Sequence, residues 1–593
     1  MSRWFRAIGV TAALAVGILL FYLSVYAVRG YDQPLGYDTA RYLWRTNCVA
    51  AGGLAELRRC ARPAEAALPS RVGYPLISLQ TSSILGTSRY ALAAVIPIVA
   101  GVAIALAGAA LLSWSLGLSA GRFAVLVVVL GASPMIVAMA SPEGYADTML
   151  ATAIGLAGLM AVALALQHGR GSLAAGALFA GAALVHSPTA LVFAAILLVT
   201  AVVYLPRARS DSARGMALSH TTSARIAGVA GWAVLLWVVG LVVAVRSAPD
   251  TFHVPAADLA EKLRSHLPRL GLPVAVPAAA LGVYGWVRGF RRDPSRRGLV
   301  LTILLVWIGV VAAALIAWFA GWNLPAHRFL LLSLPLPLLG AVGLLWVGDV
   351  VGDRVVSGLV VVGGCAAVVA AGYWLWTHNA PPMLRSARLD QAKTASAYTA
   401  SIPQGTTVSV VVDLPGVNPD ALRQTFRVTL PESRIRIVRF PDKVPARVLT
   451  QTEGPVLLVD GYSASFRQAS QSRPEQVVAP GVLVVRGPTT STSGAIEGPR
   501  LRAGVVGLVA LGLAMVALLV ALGFGWTTLS MAAELRPFER LAASPAIGLA
   551  VLVLTGLVLD GLGFAAHGVP AVIGVIAAGC TGGALTLRNK RLI

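Results

Sequence analysis

The feature that most constrains this chain is the recurrence of long apolar runs. Stretches of about 18 or more mostly apolar residues lie near 7–28, 89–115, 122–140, 145–166, 172–186, 187–205, 226–246, 271–289, 299–320, 328–348, 355–376, 503–525, 545–563 and 568–587, roughly fourteen in all. Each is of the length that crosses a bilayer as a helix. Inside lipid every backbone N–H and C=O must be satisfied within the protein, and runs of this length meet that demand as helices. Composition agrees: 57% of the 593 residues are hydrophobic and only 12% are charged, with a mean hydropathy of +0.77. The expected fold class is a polytopic α-helical membrane protein with about 14 transmembrane helices and a small extracytoplasmic α/β domain. The first run follows a basic start, but its apolar core of about 20 residues has no A-x-A cleavage site after it and reads as a retained helix. The 172–205 stretch is too long for one span, and "HSPT" from His186 to Thr189 breaks it.

The formal net charge of +22 does not point to nucleic acid, because no basic cluster is interleaved with aromatics on a soluble face. The arginines instead mark one side of a membrane: Arg3, Arg6, Arg122, Arg170, "RARSDSARG" at 207–215, "RGFRRDPSRR" at 288–297, Arg354, Arg536, Arg540 and "RNKR" at 588–591. Both termini are then expected in the cytoplasm of a cell bounded by this inner membrane. The opposite, extracytoplasmic side receives the 29–88 loop, "SPEGYAD" at 141–147, the 247–270 loop, "NLPAHRF" at 323–329, and residues 377–501. Three regions follow: a transmembrane region 1–376 of about 11 helices, an α/β domain 377–501, and a C-terminal transmembrane region 502–593 of about three helices. The middle region alternates β-branched runs such as "TTVSVVVDLPG" and "PVLLVDG" with short helical segments. It contains no Gly-rich phosphate loop and no G-x-S-x-G, and so looks like a recognition or scaffold module. Cys365 and Cys580 fall in apolar runs, whereas Cys48 and Cys60 share one polar extracytoplasmic loop, where a disulfide is expected. Abundant Ala, Val, Gly and Arg with little Lys is the composition of a high-GC bacterium.

Ionisable side chains at the membrane level are costly unless they pair, face a cavity or carry out chemistry. Asp32 and Asp38 follow the first run in "RGYDQPLGYDTARYLWR". If the segment from Asp38 is helical, Asp38, Arg41, Tyr42 and Arg45 share a face. That face is either an interfacial amphipathic helix or a carboxylate offered to a hydroxyl acceptor as general base. In "SPEGYADTML", Glu143 and Asp147 are four apart; helix capping explains the first, and the second lies a turn deeper. Together they could orient an acceptor or hold a divalent cation, Mg2+ or Mn2+; no other cofactor is indicated. His186 is either a helix-break residue or a site residue. His327 and Arg328 stand at the outer end of a span, where an arginine can snorkel to the interface or bind phosphate oxygens in bidentate fashion.

These features occur in a familiar order. "GYDTARY" followed by "GYPLISLQTSSILGTSRYALAAVIPIVAG" resembles the first external loop of GT-C type membrane glycosyltransferases, the superfamily of protein mannosyltransferases and lipid A aminoarabinose transferases. Asp38 matches the family's acidic position, Tyr42 its tyrosine, and Tyr74-Pro75-Leu76 its Pro-Pro-Leu segment. Thr39 replaces the usual second acid, and one proline of the pair is missing. "YADTML" resembles the second acidic loop at Asp147, "ALVHSPT" the Lys- or His-bearing segment at His186, and "HRFLLLSLPLPLLGA" the later arginine segment at Arg328. The resemblance covers roughly residues 5 to 350. It implies a polyprenyl-phosphate sugar as donor substrate, used at the outer face of the cytoplasmic membrane with inversion at the anomeric carbon. The acceptor would be a cell-envelope glycan, lipid or protein. Asp38 would be the catalytic base; Asp147, Glu143 and Asp32 would orient the acceptor; Arg328, His327, His186 and Arg41 would hold the donor phosphate.

Two readings from other classes compete. A transporter or flippase for lipid-linked sugars also suits many spans and excess basic charge, but such proteins show related halves and interrupted helices with polar residues near the midplane. Here no internal repeat is seen and the ionisable groups line the outer mouth. A non-catalytic cell-envelope subunit that uses residues 377–501 to bind a partner is the other, and the missing acid at Thr39 speaks for it.

Overall fold

The computed structural model describes residues 2–36, 38–60, 71–140, 145–168, 172–213, 271–289, 294–319, 333–380, 382–383, 391, 394–395, 397–399, 401–403, 406–413, 435–440, 454–459, 471, 476–479, 481–487, 501, 504–531 and 534–588. Its helices are α1 (Ser2–Arg29), α2 (Thr39–Cys60), α3 (Gly73–Leu85), α4 (Arg89–Leu116), α5 (Ala120–Gly131), α6 (Pro134–Ala140), α7 (Ala146–His168), α8 (Ser172–Val185), α9 (Ser187–Ala213), α10 (Leu272–Gly289), α11 (Pro294–Phe319), α12 (Pro335–Val350), α13 (Arg354–Asn379), α14 (Val505–Met531), α15 (Pro537–Gly561) and α16 (Gly568–Arg588). Among the described residues, eight helices are long and apolar enough to cross a membrane, or nine if α5 and α6, bent by 46°, form one broken span. Four shorter apolar helices, α8, α9, α10 and α12, coincide with further apolar runs. The run at 226–246 lies outside the described residues. The chain is therefore a polytopic helical membrane protein. The break between α8 and α9 falls at His186, whereas α2 and α3 lie within a stretch that reads as loop from its hydropathy alone.

The centre of the bundle is α4 and α7, whose apolar lengths are buried throughout, while the apolar surface of α13 is almost wholly exposed. In lipid no hydrophobic force drives helices together, so close packing depends on small residues. At the crossing of α14 and α15, a Cβ on Gly523 would lie 2.0 Å from the Ser544 carbonyl oxygen. Only hydrogen fits there.

Side-chain contacts sort the helix ends into two levels. At the first, Arg540 lies over the Trp4 ring at 5.9 Å, Arg536 pairs with buried Glu539 and bonds the Leu118 carbonyl, and Arg122 pairs with Asp349. At the second, Arg29 Nε donates to the Thr377 carbonyl at 2.8 Å, the Leu501 amide donates to the Asp32 carbonyl at 2.7 Å, and the Gly568 amide donates to Ser83 Oγ at 2.8 Å. Helices α1, α4, α7, α13, α14, α15 and α16 each run from one level to the other, as spans must.

The remaining element is a mixed five-stranded sheet of order β2-β1-β3-β5-β4, with β1 (Val408–Asp413), β2 (Ile435–Phe440), β3 (Val456–Val459), β4 (Val477–Ala479) and β5 (Val482–Arg486). Strand β1 is parallel to β2 and β3; β5 is antiparallel to β3 and β4. Alternate residues Val408, Val410, Leu457, Val459, Val482 and Val484 form one apolar face covered by Ala395, Tyr398 and Ile402, which follows from the two-residue period of a strand. Both ends of this module are fastened to the segment after α1. Leu35 bridges Pro382, and the Met383 amide donates to the Pro34 carbonyl at 2.7 Å. The module therefore sits at the second level of helix ends.

The start of α3 lies against the end of α8, where the Val72 amide donates to the Leu184 carbonyl at 3.2 Å. A Cβ on Gly73 would be 2.3 Å from Val185 Cγ2 and 2.9 Å from Val185 Cα. We expect Gly73→Ala to destabilise the protein by about 1–3 kcal/mol through overpacking, seen as a lower melting temperature in detergent.

Candidate functional site

Helix α2 begins one residue after Asp38. The Asp38 carbonyl accepts from the amides of Arg41 at 3.0 Å and Tyr42 at 3.2 Å, and an aspartate at this position suits both the free amides and the dipole of a helix start. Asp38 thus stands just ahead of the helix, half-buried, and Arg41, Tyr42 and Arg45 follow on one face. Tyr42 Oη donates to Asp147 Oδ1 at 2.7 Å, and its ring stacks on Tyr74 of α3 with centroids 4.6 Å apart and planes 28° apart. The Thr148 amide donates to the same carboxylate oxygen at 2.8 Å.

Asp147 is 4% exposed, at the first turn of α7. His186, Arg71 and Arg45 all act electrostatically on it. Arg71 lies two residues before the start of α3, and His186 lies between α8 and α9. The His186 ring caps α9: the Thr189 amide points at Nδ1 at 3.4 Å and Thr189 Oγ1 lies 2.8 Å away. A backbone amide can only donate, which makes Nδ1 the acceptor and puts the ring proton on Nε2. The residue is both a helix-break cap and a neighbour of the carboxylate.

Arg41 faces Asp38 and Asp147, and is opposed by Arg71. Burial first, and then Arg71, pushes its guanidinium down to about 10. Burial, followed by Arg41 and Arg71, pushes Arg45 well below the usual arginine range. Burial, with Asp147 and Asp38 next, holds the Tyr42 phenol well above its ordinary value, which keeps it a hydrogen-bond donor. Among the described residues, the guanidiniums of buried Arg45 and half-buried Arg41 and Arg71 therefore meet the carboxylates of Asp38 and Asp147. Guanidiniums brought this close repel one another, and the carboxylates between them offset that repulsion.

The structure brings Asp38, Arg41, Asp147 and His186 to one place. Asp32 is exposed, its carbonyl accepts from the Leu501 amide, and its carboxylate acts on Tyr90. Glu143, His327 and Arg328 lie outside the described residues. Cys48 is disulfide-bonded, Cys365 and Cys580 are free, and the Cys60 side chain lies outside the described set. Arg45 and Arg71 complete the cluster without having been singled out as ligands by the sequence. Arg71 had a signal, since it lies three residues before Tyr74 in a polar approach to an apolar run.

Among the described residues no group of three or more His, Cys, Asp and Glu is placed to hold a metal ion. A divalent cation does not fit the described surroundings of Asp147, because that carboxylate already faces Arg45, Arg71 and His186. Neither a family model nor a curated protein sequence matches the chain.

Two substitutions test the buried network. Tyr42→Phe keeps the ring on Tyr74 but removes the donor to Asp147, at an expected cost of about 1–3 kcal/mol. Asp147→Asn leaves the guanidiniums without their shared counter-charge and should cost about 3–5 kcal/mol. Thermal unfolding in one detergent should rank wild type above Tyr42→Phe, and Tyr42→Phe above Asp147→Asn.

Proposed function

We propose that the protein is a glycosyltransferase that moves a sugar from a polyprenyl-phosphate donor to a hydroxyl of a cell-envelope acceptor at the outer face of the cytoplasmic membrane. The observation that carries the reading is the gathering of buried Arg45 and half-buried Arg41 and Arg71 beside the half-buried carboxylate of Asp38 at one level of helix ends. An anion fits the first and a hydroxyl nucleophile the second. In the reaction the acceptor oxygen attacks the anomeric carbon, the bond from that carbon to the phosphate oxygen breaks, and the polyprenyl phosphate leaves with the bonding electrons. Asp38 takes the acceptor proton. Arg41, Arg45 and Arg71 stabilise the developing phosphate charge, the preorganised electrostatic role that dominates such transfers. Asp147, engaged by Tyr42 and by cations, holds the arginines in place and is a positioning residue.

Three further features support this. The order of motifs resembles the GT-C superfamily from Asp38 through His186. The arginines that read as cytoplasmic, including Arg122, Arg536 and Arg540, lie at the opposite level of helix ends, which under the positive-inside rule supports an outer position for Asp38 and the sheet module. An apolar groove of about 690 Å3 runs between α8 and the last three helices, lined by residues such as Leu178, Ile547, Val551 and Leu559, and suits an isoprenoid chain.

The test is sugar transfer by the purified protein in liposomes that contain a polyprenyl-phosphate hexose and an envelope extract as acceptor. Wild type should release polyprenyl phosphate, and Asp38→Asn should lose about 10²–10⁴-fold in rate while melting normally. Arg45→Gln should raise the donor KM more than it lowers kcat. Movement of the intact lipid across the bilayer without sugar release would replace this reading with a carrier.

A further inference from the structure

We propose that the turn joining α15 to α16 is a clamp that sets the angle of the site helix α2, with Asp560 and His567 as its positioning residues. The proposal uses the transferase reading for one of its two readouts only.

Helix α2 is interrupted. Gly52 (φ −162°, ψ 31°) and Gly53 (φ 70°, ψ −164°) leave helical geometry, so the segment that carries Arg41, Tyr42 and Arg45 ends there and a second segment restarts at Leu54. The first amides of a restarted helix have no partner within it, and a side-chain oxygen normally supplies one. Here the oxygen comes from Asp560, 506 residues away in sequence: the Leu54 amide donates to its Oδ1 at 2.9 Å. Asp560 occupies the last turn of α15, where a carboxylate opposes the negative end of the helix dipole. Its position is locally unfavourable and is offset by the start of the other helix. Gly53 is required twice over, by its positive φ and because a Cβ would lie 2.5 Å from Asp560 Oδ1.

The same turn holds the other side of the break. His567 Nε2 lies 3.1 Å from the Ala50 carbonyl, which can only accept, so the ring donates to the end of the first segment. Ala566, 2% exposed, is packed with Trp44, Cys48, Val49 and Leu57 of α2 and with Leu76 and Leu79 of α3. The Gly568 amide reaches Ser83 Oγ on α3. One short turn therefore grips both halves of α2 and the helix beside it.

The consequence is geometric. Arg41, Tyr42 and Arg45 are on the first segment, whereas Asp147 and His186 belong to α7 and to the α8–α9 junction. A swing of the first segment about Gly52 and Gly53 would move the two sets apart, and small misplacements of this kind cost large factors in rate. The last helices, which the GT-C resemblance does not cover, thereby act on the site without touching it.

The experiment compares full-length wild type, Asp560→Ala, Asp560→Asn and His567→Ala in lipid nanodiscs. Amide hydrogen exchange over residues 48–56 should rise at least about fivefold in Asp560→Ala, which loses the oxygen. It should stay near wild type in Asp560→Asn, which keeps an accepting Oδ1, and rise over residues 48–52 in His567→Ala. In the transfer assay, Asp560→Ala should lower kcat by about tenfold or more with the donor KM nearly unchanged, and Asp560→Asn should restore kcat. Unchanged exchange in Asp560→Ala, or equal exchange in Asp560→Ala and Asp560→Asn, would overturn the clamp. If Asp560→Ala does not fold, exchange in His567→Ala decides in the same way. A wild type without transfer activity would remove the transferase reading and leave the exchange comparison to judge the clamp.

Discussion

The bond from Tyr42 to Asp147 is the interaction on which the rest of the site depends. It joins the amphipathic helix after the first span to the buried centre of the bundle, across 105 residues of sequence. A carboxylate 4% exposed within a membrane protein is tolerable only when its charge is met, and here it is met by a phenol, a backbone amide, a histidine and guanidiniums. Those same cations then repel one another. Asp147 makes their approach possible by standing between Arg45, Arg71 and His186, and an anion at this place is what the proposed transferase reading requires.

Burial of this network follows from small residues and broken helices. Gly73 lets α3 approach α8, the interruption at His186 lets a ring face Asp147, and the interruption at Gly52 and Gly53 ends the site-bearing part of α2. Long unbroken spans such as α4 and α7 supply the rigid frame. Short or broken elements around them supply the gathered charges, because irregular backbone is tolerated in a membrane only where protein or water satisfies it.

Much of the frame was legible in the sequence because hydropathy over about 20 residues is a strong signal. The spans of α1, α4, α7 and α13 to α16 fall where the apolar runs do, and the histidine in "HSPT" breaks its helix. The helical face of Arg41, Tyr42 and Arg45 was also readable from spacing, as was Asp147 as a carboxylate too deep to be a mere cap. Helix α3 was not legible as a helix of its own, since 13 residues fall below the length that marks a span. Arg71 was missed because its only local signal, a place three residues before Tyr74 in a polar approach to an apolar run, is weak, and its role arises from α3 docking on α8, a tertiary contact. The grip of Asp560 on Leu54 was equally invisible, because a cap supplied from the far end of the chain leaves no spacing to find. The motif order pointed to Arg328, His327, His186 and Arg41 for the phosphate; the first two lie outside the described residues, and His186 and Arg41 are gathered with Arg45 and Arg71 about Asp147.

The most direct measurement of the central claim is a cryo-electron microscopy structure of the protein in nanodiscs with a short-chain polyprenyl phosphate. The account predicts phosphate density in contact with Arg45 and Arg71, within reach of Arg41, and with Asp38 facing the same space. Phosphate density at the opposite level of helix ends, beside Arg122 and Arg536, would contradict it.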